Sequence, residues 1–299
     1  MRILFSSTRG TGHIQPLLPY ARGLLARGHD VLFTSPADTG NAVRAAGLEH
    51  APFGHPGDEV LGPIWARLAT ATDQEAAAIA TREIFAGANA QAALPRLVET
   101  MRDWRPTLVV RDSVEFGSLV AAESLSVPHA RVAVHLVSFE DTIPGLAAEP
   151  VDELRASLGL ARDDSASWRL EPCFSAFPAA LDAPSLDSER TPPPFRARMP
   201  EEPLREADLA WTPGADPRPL VYVTFGTIVG GMARARHIYR LSLDAVAELP
   251  ARFVLTTGPG VEADVLGEIP SNVQVEAWIP QREVLAHASA VVCHGGSGS

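Results

Sequence analysis

Arg2-Ile3-Leu4-Phe5-Ser6-Ser7-Thr8-Arg9-Gly10-Thr11-Gly12-His13-Ile14-Gln15-Pro16 opens the chain and decides its fold class. Arg2 to Ser6 is a short, mostly apolar run of the kind a buried strand uses. Gly10 and Gly12 let the backbone turn sharply with positive φ. Pro16 to Arg27 reads as a helix, with Pro16 near its first turn, Leu17, Leu18, Leu24 and Leu25 on one face and Gly28 as its stop. Asp30 to Ser35 is a second strand. Strand, glycine turn, helix and strand make a βαβ unit, which predicts a doubly wound α/β fold on a parallel sheet.

The unit recurs along the chain. Asn41 to Ala46 reads as a short helix before an edge segment near His50, and Ala76 to Asp103 as a long Ala-rich helix. Thr107 to Arg111 is a strand, Phe116 to Leu125 a helix and Pro128 to Val134 a strand. Glu140 to Glu206 is Pro-rich and reads as irregular, with one helix near Val151 to Leu158. Trp211 to Pro219, with its prolines, reads as a linker. A second set follows: strands at Leu220 to Phe225, Arg252 to Thr257, Val273 to Ala277 and Ala290 to Cys293, the last read as buried, and a helix at Tyr239 to Leu249. The expected division is 1–210, a linker at 211–219, and 220–299, with five or six strands before the linker and about four after it.

Composition narrows the function. The 299 residues are 46% hydrophobic and 20% charged, which is a globular balance. The net charge of −11 comes without any Lys/Arg run, so a nucleic-acid partner is not expected. Cys173 and Cys293 are the only cysteines and offer no disulfide framework or Cys-x-x-Cys site. No apolar run approaches the ~20 residues of a membrane-spanning helix. A cytoplasmic enzyme is the expectation.

Two glycine turns carry the chemistry. In the first, the dinucleotide fingerprint G-x-G-x-x-G fails because Gln15 stands at its third position, which argues against a dinucleotide oxidoreductase. His13 opens the helix, where the helix dipole favours a neutral imidazole able to accept a proton. Asp112, after the strand at Thr107 to Arg111, lies at the same carboxyl edge, where open α/β sheets bind ligands. The pair reads as a base and its orienting carboxylate, or as an ordinary cap and a helix-terminal charge. The second turn, His294-Gly295-Gly296-Ser297-Gly298-Ser299, exposes backbone amides as a phosphate cradle does, or is a Gly/Ser-rich tail. Thr227, after Phe225-Gly226, could bond a phosphate oxygen. Trp278, in Trp278-Ile279-Pro280-Gln281, could stack on a flat base or pack in the core. No Asp-x-Asp pair occurs, so no metal-bridged diphosphate is expected.

Taken in order, Gly12-His13, Phe225-Gly226-Thr227, Trp278-Ile279-Pro280-Gln281 and His294 to Ser299 resemble the inverting UDP-glucosyl/glucuronosyltransferase family (family 1) of the GT-B fold. The likeness is to bacterial enzymes that decorate macrolides and other natural products. It implies two Rossmann-like domains facing a cleft and transfer of a sugar from a UDP- or TDP-sugar to a hydroxyl of a small hydrophobic acceptor. It implies His13 as general base and Asp112 as its partner. Thr227, His294, Gly296, Ser297, Gly298 and Ser299 correspond to the diphosphate site, and Trp278, Ile279 and Gln281 to the nucleoside site. No metal and no cofactor beyond the nucleotide-sugar substrate is implied. The acceptor is expected in the first half, along the apolar and irregular Gly54 to Gln91 with Trp65 and Phe85, and along Val134 to Phe139 with His135. In the family, a ribose-binding acidic residue, an acidic-Gln pair and a closing helix follow the glycine loop. Their absence before Ser299 leads us to expect an incomplete second domain, weak or no transfer and marginal stability there. A non-catalytic nucleotide-sugar-binding helper and a nucleotide-sugar epimerase are the alternatives.

Overall fold

The computed structural model describes residues 1–182, 192–197, 216–227, 236–258, 261 and 266–296. They fall in two compact units, one within 1–200 and one within 201–299.

The first unit is a seven-stranded sheet. Its strands are β1 (Arg2–Ser6), β2 (Asp30–Pro36), β3 (Glu49–Phe53), β4 (Leu108–Asp112), β5 (His129–Val132), β6 (Cys173–Ser175) and β7 (Phe195–Arg196). They lie in the order β3-β2-β1-β4-β5-β6-β7, every pair parallel. The order reverses between β1 and β4, and that switch point is where such sheets leave a crevice at their carboxyl ends.

The helices explain the burial pattern. The first follow β1 closely: α1 (Thr11–Ile14) and α2 (Leu18–Leu25). The helix expected over Pro16 to Arg27 is α2, shortened to Leu18–Leu25, and the one-turn α1 is an extra helix that ends before Pro16, whose missing N–H and ring keep the two apart. Then come α3 (Gly40–Ala45), α4 (Asp58–Leu68), α5 (Asp73–Ile79), a ten-residue π-helical stretch at Ala80–Asn89, and α6 (Ala90–Trp104). The long helix expected from Ala76 therefore begins earlier. Thr72 caps it, taking the Glu75 amide while the Glu75 carboxylate takes the Thr72 N–H. The segment from Gly54 was expected to be irregular and is largely helical, although α4 holds Pro63. Asp58 and Glu59 in its first turn suit the dipole there.

Helix α6 buries Ala93, Leu94, Leu97, Val98 and Met101 at a helical spacing. It packs on α7 (Gly117–Ser124), whose first six residues are all buried. Gly117 permits this approach: a Cβ there would lie 3.0 Å from the Leu97 side chain and 3.2 Å from that of Ala93. After β5 come α8 (Val137–Glu140) and α9 (Ile143–Ser157). Helix α9 corrects the reading of Glu140 onward as mostly irregular. Its Pro144 sits in the first turn, where no donor is missed, and only Pro150 interrupts the hydrogen-bond ladder.

The second unit has four described strands: β8 (Leu220–Thr224), β9 (Arg252–Thr256), β10 (Val273–Glu276) and β11 (Ala290–Cys293). Between them lie α10 (Arg236–Val246) and α11 (Gln281–Leu285). The order is β10-β9-β8-β11, all parallel. Alternate residues serve opposite faces. Val223, Phe225, Phe253 and Leu255 pack with Tyr239 and Leu243, and Leu220, Tyr222 and Val254 pack with Ile279 and Val284. Both faces of β8 and β9 are therefore covered, as a parallel sheet requires. Strand β11 was expected to be buried. All four of its residues are exposed, because it pairs with β8 on one side only and no described element covers it.

Candidate active site

The first site grows from the β1 turn. Gly10 has φ 126° and ψ 144°, a conformation that side-chain-bearing residues rarely adopt. A Cβ at Gly10 would also stand 3.2 Å from the His13 ring. The turn swings His13 over the switch point toward the end of β4. The register Ser6↔Arg111 places Asp112 one residue beyond the end of β1. The His13 Nδ1 lies 2.9 Å from Asp112 Oδ2, and the other carboxylate oxygen accepts the Val114 amide at 2.8 Å. Asp112 is fully buried, whereas the His13 side chain keeps 16% exposure. With both carboxylate oxygens accepting, Nδ1 carries the ring proton and Nε2 keeps its lone pair. The helix dipole contributes little at His13, since α1 is one turn long and aligns few peptides. The buried carboxylate is what fixes the ring.

Behind Asp112 lies a network that sequence reasoning missed. The buried Arg111 donates from one nitrogen to the carbonyls of Asp112, Ser113 and Glu115, at 3.1, 2.9 and 3.3 Å. Its other terminal nitrogen meets the Glu171 carboxylate. Glu171 also takes His129 Nδ1 at 2.6 Å and Arg131 at 3.4 Å. Burial alone would raise its carboxyl, but Arg111, His129 and Arg131 pull it down to about 2. Glu115 is the contrast: burial raises its carboxyl against the opposing hydrogen bonds from Ser118 and Ser6. The available signal was Arg111 itself, a cation in the apolar strand Leu108-Val109-Val110.

Aromatic rings flank the dyad. Phe85 of the π-helical stretch lies 5.3 Å from His13 between ring centres. His135 lies 6.3 Å from His13 on another side, and Phe139 lies 4.6 Å from His135. Of the expected acceptor residues, the structure thus brings Phe85 and His135 to the base. Trp65, 43% exposed on α4, is not part of this row.

The second site lies at the carboxyl ends of β8, β9 and β11, again at a switch point. Gly226 has φ 78°, and a Cβ there would stand 2.8 Å from the His294 ring. Gly258, with φ 76°, would clash mildly with Gly226 and Thr227. Thr227 and His294 are therefore gathered around two glycines, of which Gly258 went unnoticed in the sequence. Trp278 is 63% exposed, which removes the core-packing alternative, while Ile279 is 5% exposed. Gln281 opens α11. Gly296 adjoins the His294 ring. Ser297, Gly298 and Ser299 lie outside the described residues. Among the described residues no group of three or more His, Cys, Asp and Glu could hold a metal ion, and no helix is long and apolar enough to cross a membrane. A broad depression of about 550 Å³, lined by Glu123, His129 and Glu171 among others, opens at the amino end of β5, away from the dyad.

This architecture has known counterparts. The family model for the N-terminal domain of erythromycin biosynthesis protein CIII-like proteins matches residues 22–142. The 4'-demethylrebeccamycin synthase of Lentzea aerocolonigenes is 29% identical, over 99% of this chain and 78% of that protein. The TDP-daunosamine transferase DnrS of Streptomyces peucetius is 26% identical, over 100% and 76%. The crystal structure of the glycosyltransferase SnogD from Streptomyces nogalater superposes with a TM-score of 0.75 at 28% identity, over 100% and 77%. The fold is that of the GT-B glycosyltransferases. Its relatives are bacterial natural-product glycosyltransferases of family 1, and they support the same activity class, a nucleotide-sugar-dependent sugar transferase, for this chain. Neither the helper nor the epimerase alternative is favoured by these relatives.

Proposed function

We propose that this protein transfers a sugar, with inversion, from a UDP- or TDP-sugar to a hydroxyl of a small hydrophobic natural-product acceptor. The observation that carries the reading is the His13–Asp112 pair spanning the β1/β4 switch point. The acceptor hydroxyl gives its proton to His13 Nε2 as its oxygen attacks the anomeric carbon. The bond from that carbon to the phosphate oxygen breaks, and its electron pair leaves with the nucleoside diphosphate. Asp112 stabilises the imidazolium that forms. A positioned base of this kind contributes ~10²–10⁴ in rate.

In this reading Thr227, His294 and Gly296, with Ser297, Gly298 and Ser299, hold the departing diphosphate through amides and side chains rather than a metal. Trp278 stacks on the base, Ile279 offers backbone contacts and Gln281 lies near the ribose. Residues 1–210 form the acceptor domain, with Trp65, Phe85 and His135 along its pocket, and 220–299 form the donor domain beyond a linker at 211–219. His13→Ala tests this: transfer should fall ~10²–10⁴-fold while binding of UDP or TDP, followed by calorimetry, stays near wild type. A variant that keeps its rate removes His13 as the base.

A further inference from the structure

Phe85, His13, His135 and Phe139 form one row of rings, with successive centres 5.3, 6.3 and 4.6 Å apart and tilts of 53°, 73° and 47°. All four residues are only partly buried, so each ring keeps some surface within reach of an incoming molecule. The base sits inside the row rather than beside it. We propose, resting on the transferase reading above, that the acceptor is a flat aromatic alcohol, a phenol or hydroxylated fused ring, and not a saturated one.

The row is held rigidly enough to discriminate. On one side, the buried Ile84 and Ala86 anchor the π-helical stretch around Phe85. Asn89 of the same stretch donates to Thr8 in the β1 turn at 3.1 Å. Such wide turns recur at functional sites because they redirect a side chain that a regular helix would aim elsewhere. On the other side, the buried Glu140 accepts from the Ser113 hydroxyl at 2.8 Å and from the amides of Val134 and His135 at 3.2 Å each. The same carboxylate oxygen stands 3.5 Å from His135 Nδ1. The Val137 amide is tied to Asp182 at 2.7 Å.

A planar acceptor meets tilted rings edge to face, which adds a quadrupole attraction that a saturated ring of the same size lacks. The chemistry agrees. A phenolic proton, with an acidity near tyrosine's value of about 10, passes to an imidazole far more readily than that of a saturated alcohol, whose acidity is nearer water's.

The test compares 1-naphthol with its fully hydrogenated counterpart, decahydro-1-naphthol, on the intact chain. Binding of each is followed by saturation-transfer NMR and calorimetry, and transfer is followed with UDP- and TDP-glucose. We expect 1-naphthol to bind at least tenfold more tightly. Phe139→Leu should abolish most of that preference by weakening 1-naphthol alone. Equal binding of the two alcohols, or an equal loss for both in Phe139→Leu, overturns the inference. Transfer without an aromatic preference sinks this inference and leaves the transferase reading standing. An aromatic preference in binding without transfer to either alcohol upholds this inference and counts against the transferase reading.

Discussion

The Nδ1 of His13 lies 2.9 Å from an oxygen of Asp112, ninety-nine residues along the chain, and the second oxygen of that carboxylate is held by the Val114 amide. Neither oxygen is free to swing away. The imidazole is therefore fixed both in orientation and in tautomer, with Nε2 available as acceptor.

Asp112→Asn follows directly. The carboxamide keeps the size and can still accept from Val114, but it then turns an N–H toward His13. The ring answers by placing its proton on Nε2, the atom that should receive one. We expect kcat to fall ~10²–10⁴-fold, comparable to losing the base, with UDP or TDP affinity little changed. A variant retaining more than a third of wild-type kcat would show that the tautomer is set by something other than Asp112.

Two buried carboxyls should bend the stability curve in opposite directions. Glu171 is held down at about 2 against the burial that would raise it. A depressed carboxyl contributes stability above its unfolded value and loses it as pH falls. Denaturation midpoints should thus drop between about pH 4.5 and 2. Glu171→Gln should lose that slope and cost about 3–5 kcal/mol at neutral pH, because Arg111 and Arg131 stay buried with one counter-charge fewer. Glu115 is raised by burial. Its contribution is present below its unfolded value and lost as pH rises through the folded one, so Glu115→Gln should flatten that limb. Urea titrations from pH 3 to 8 check both signs, and parallel curves for wild type and the two variants would contradict them.

The switch points were legible because the βαβ pattern at Arg2 to Ser35 and the strand at Leu220 to Phe225 have strong local signals. His13, Asp112 and Thr227 could be placed from strand ends alone. What stayed hidden depends on partners distant in sequence. The pairing of Arg111 with Glu171 spans sixty residues and has no local mark. Pro144 and Pro150 lie in the stretch read as Pro-rich and irregular, yet they sit in helix α9, and Pro63 sits within α4. Buried residues such as Leu61, Ala147 and Val151 hold those helices in place. The capping pair Thr72 and Glu75 was readable and went unused, which is why α5 begins earlier than expected. Phe85 stands beside His13 on a π-helical stretch, and no residue pattern marks that change of pitch.

Gly226 is required twice over, by its positive φ and by the His294 ring 2.8 Å from where a Cβ would stand. Gly226→Ala must relax the backbone or expel the imidazole. A strained positive φ costs about 1–3 kcal/mol, borne by the second unit. We expect UDP and TDP affinity to fall at least tenfold with little change in the His13–Asp112 geometry. Calorimetry beside the NMR spectrum of the His13 ring separates the two. Unchanged nucleotide affinity would mean that His294 does not face the diphosphate.

A ladder of buried hydroxyls leads to the same turn. Tyr222 meets Thr256 at 3.3 Å, Thr256 donates to Thr224 at 2.8 Å, and Thr224 accepts the Gly226 amide at 3.3 Å. All three side chains are buried, so each lost bond strands a partner with no water to replace it. Thr224→Val keeps the shape and removes the acceptor on which Thr256 and Gly226 converge. The expected cost is about 1–3 kcal/mol of stability, with KM for the nucleotide sugar rising while kcat at saturation holds. Thr224→Ser restores the hydroxyl and should return KM to within about twofold of wild type, a 0.4 kcal/mol difference on the scale of 1.4 kcal/mol per tenfold. If valine and serine perturb KM alike, the effect does not follow the hydroxyl, and the ladder has no part in holding the turn.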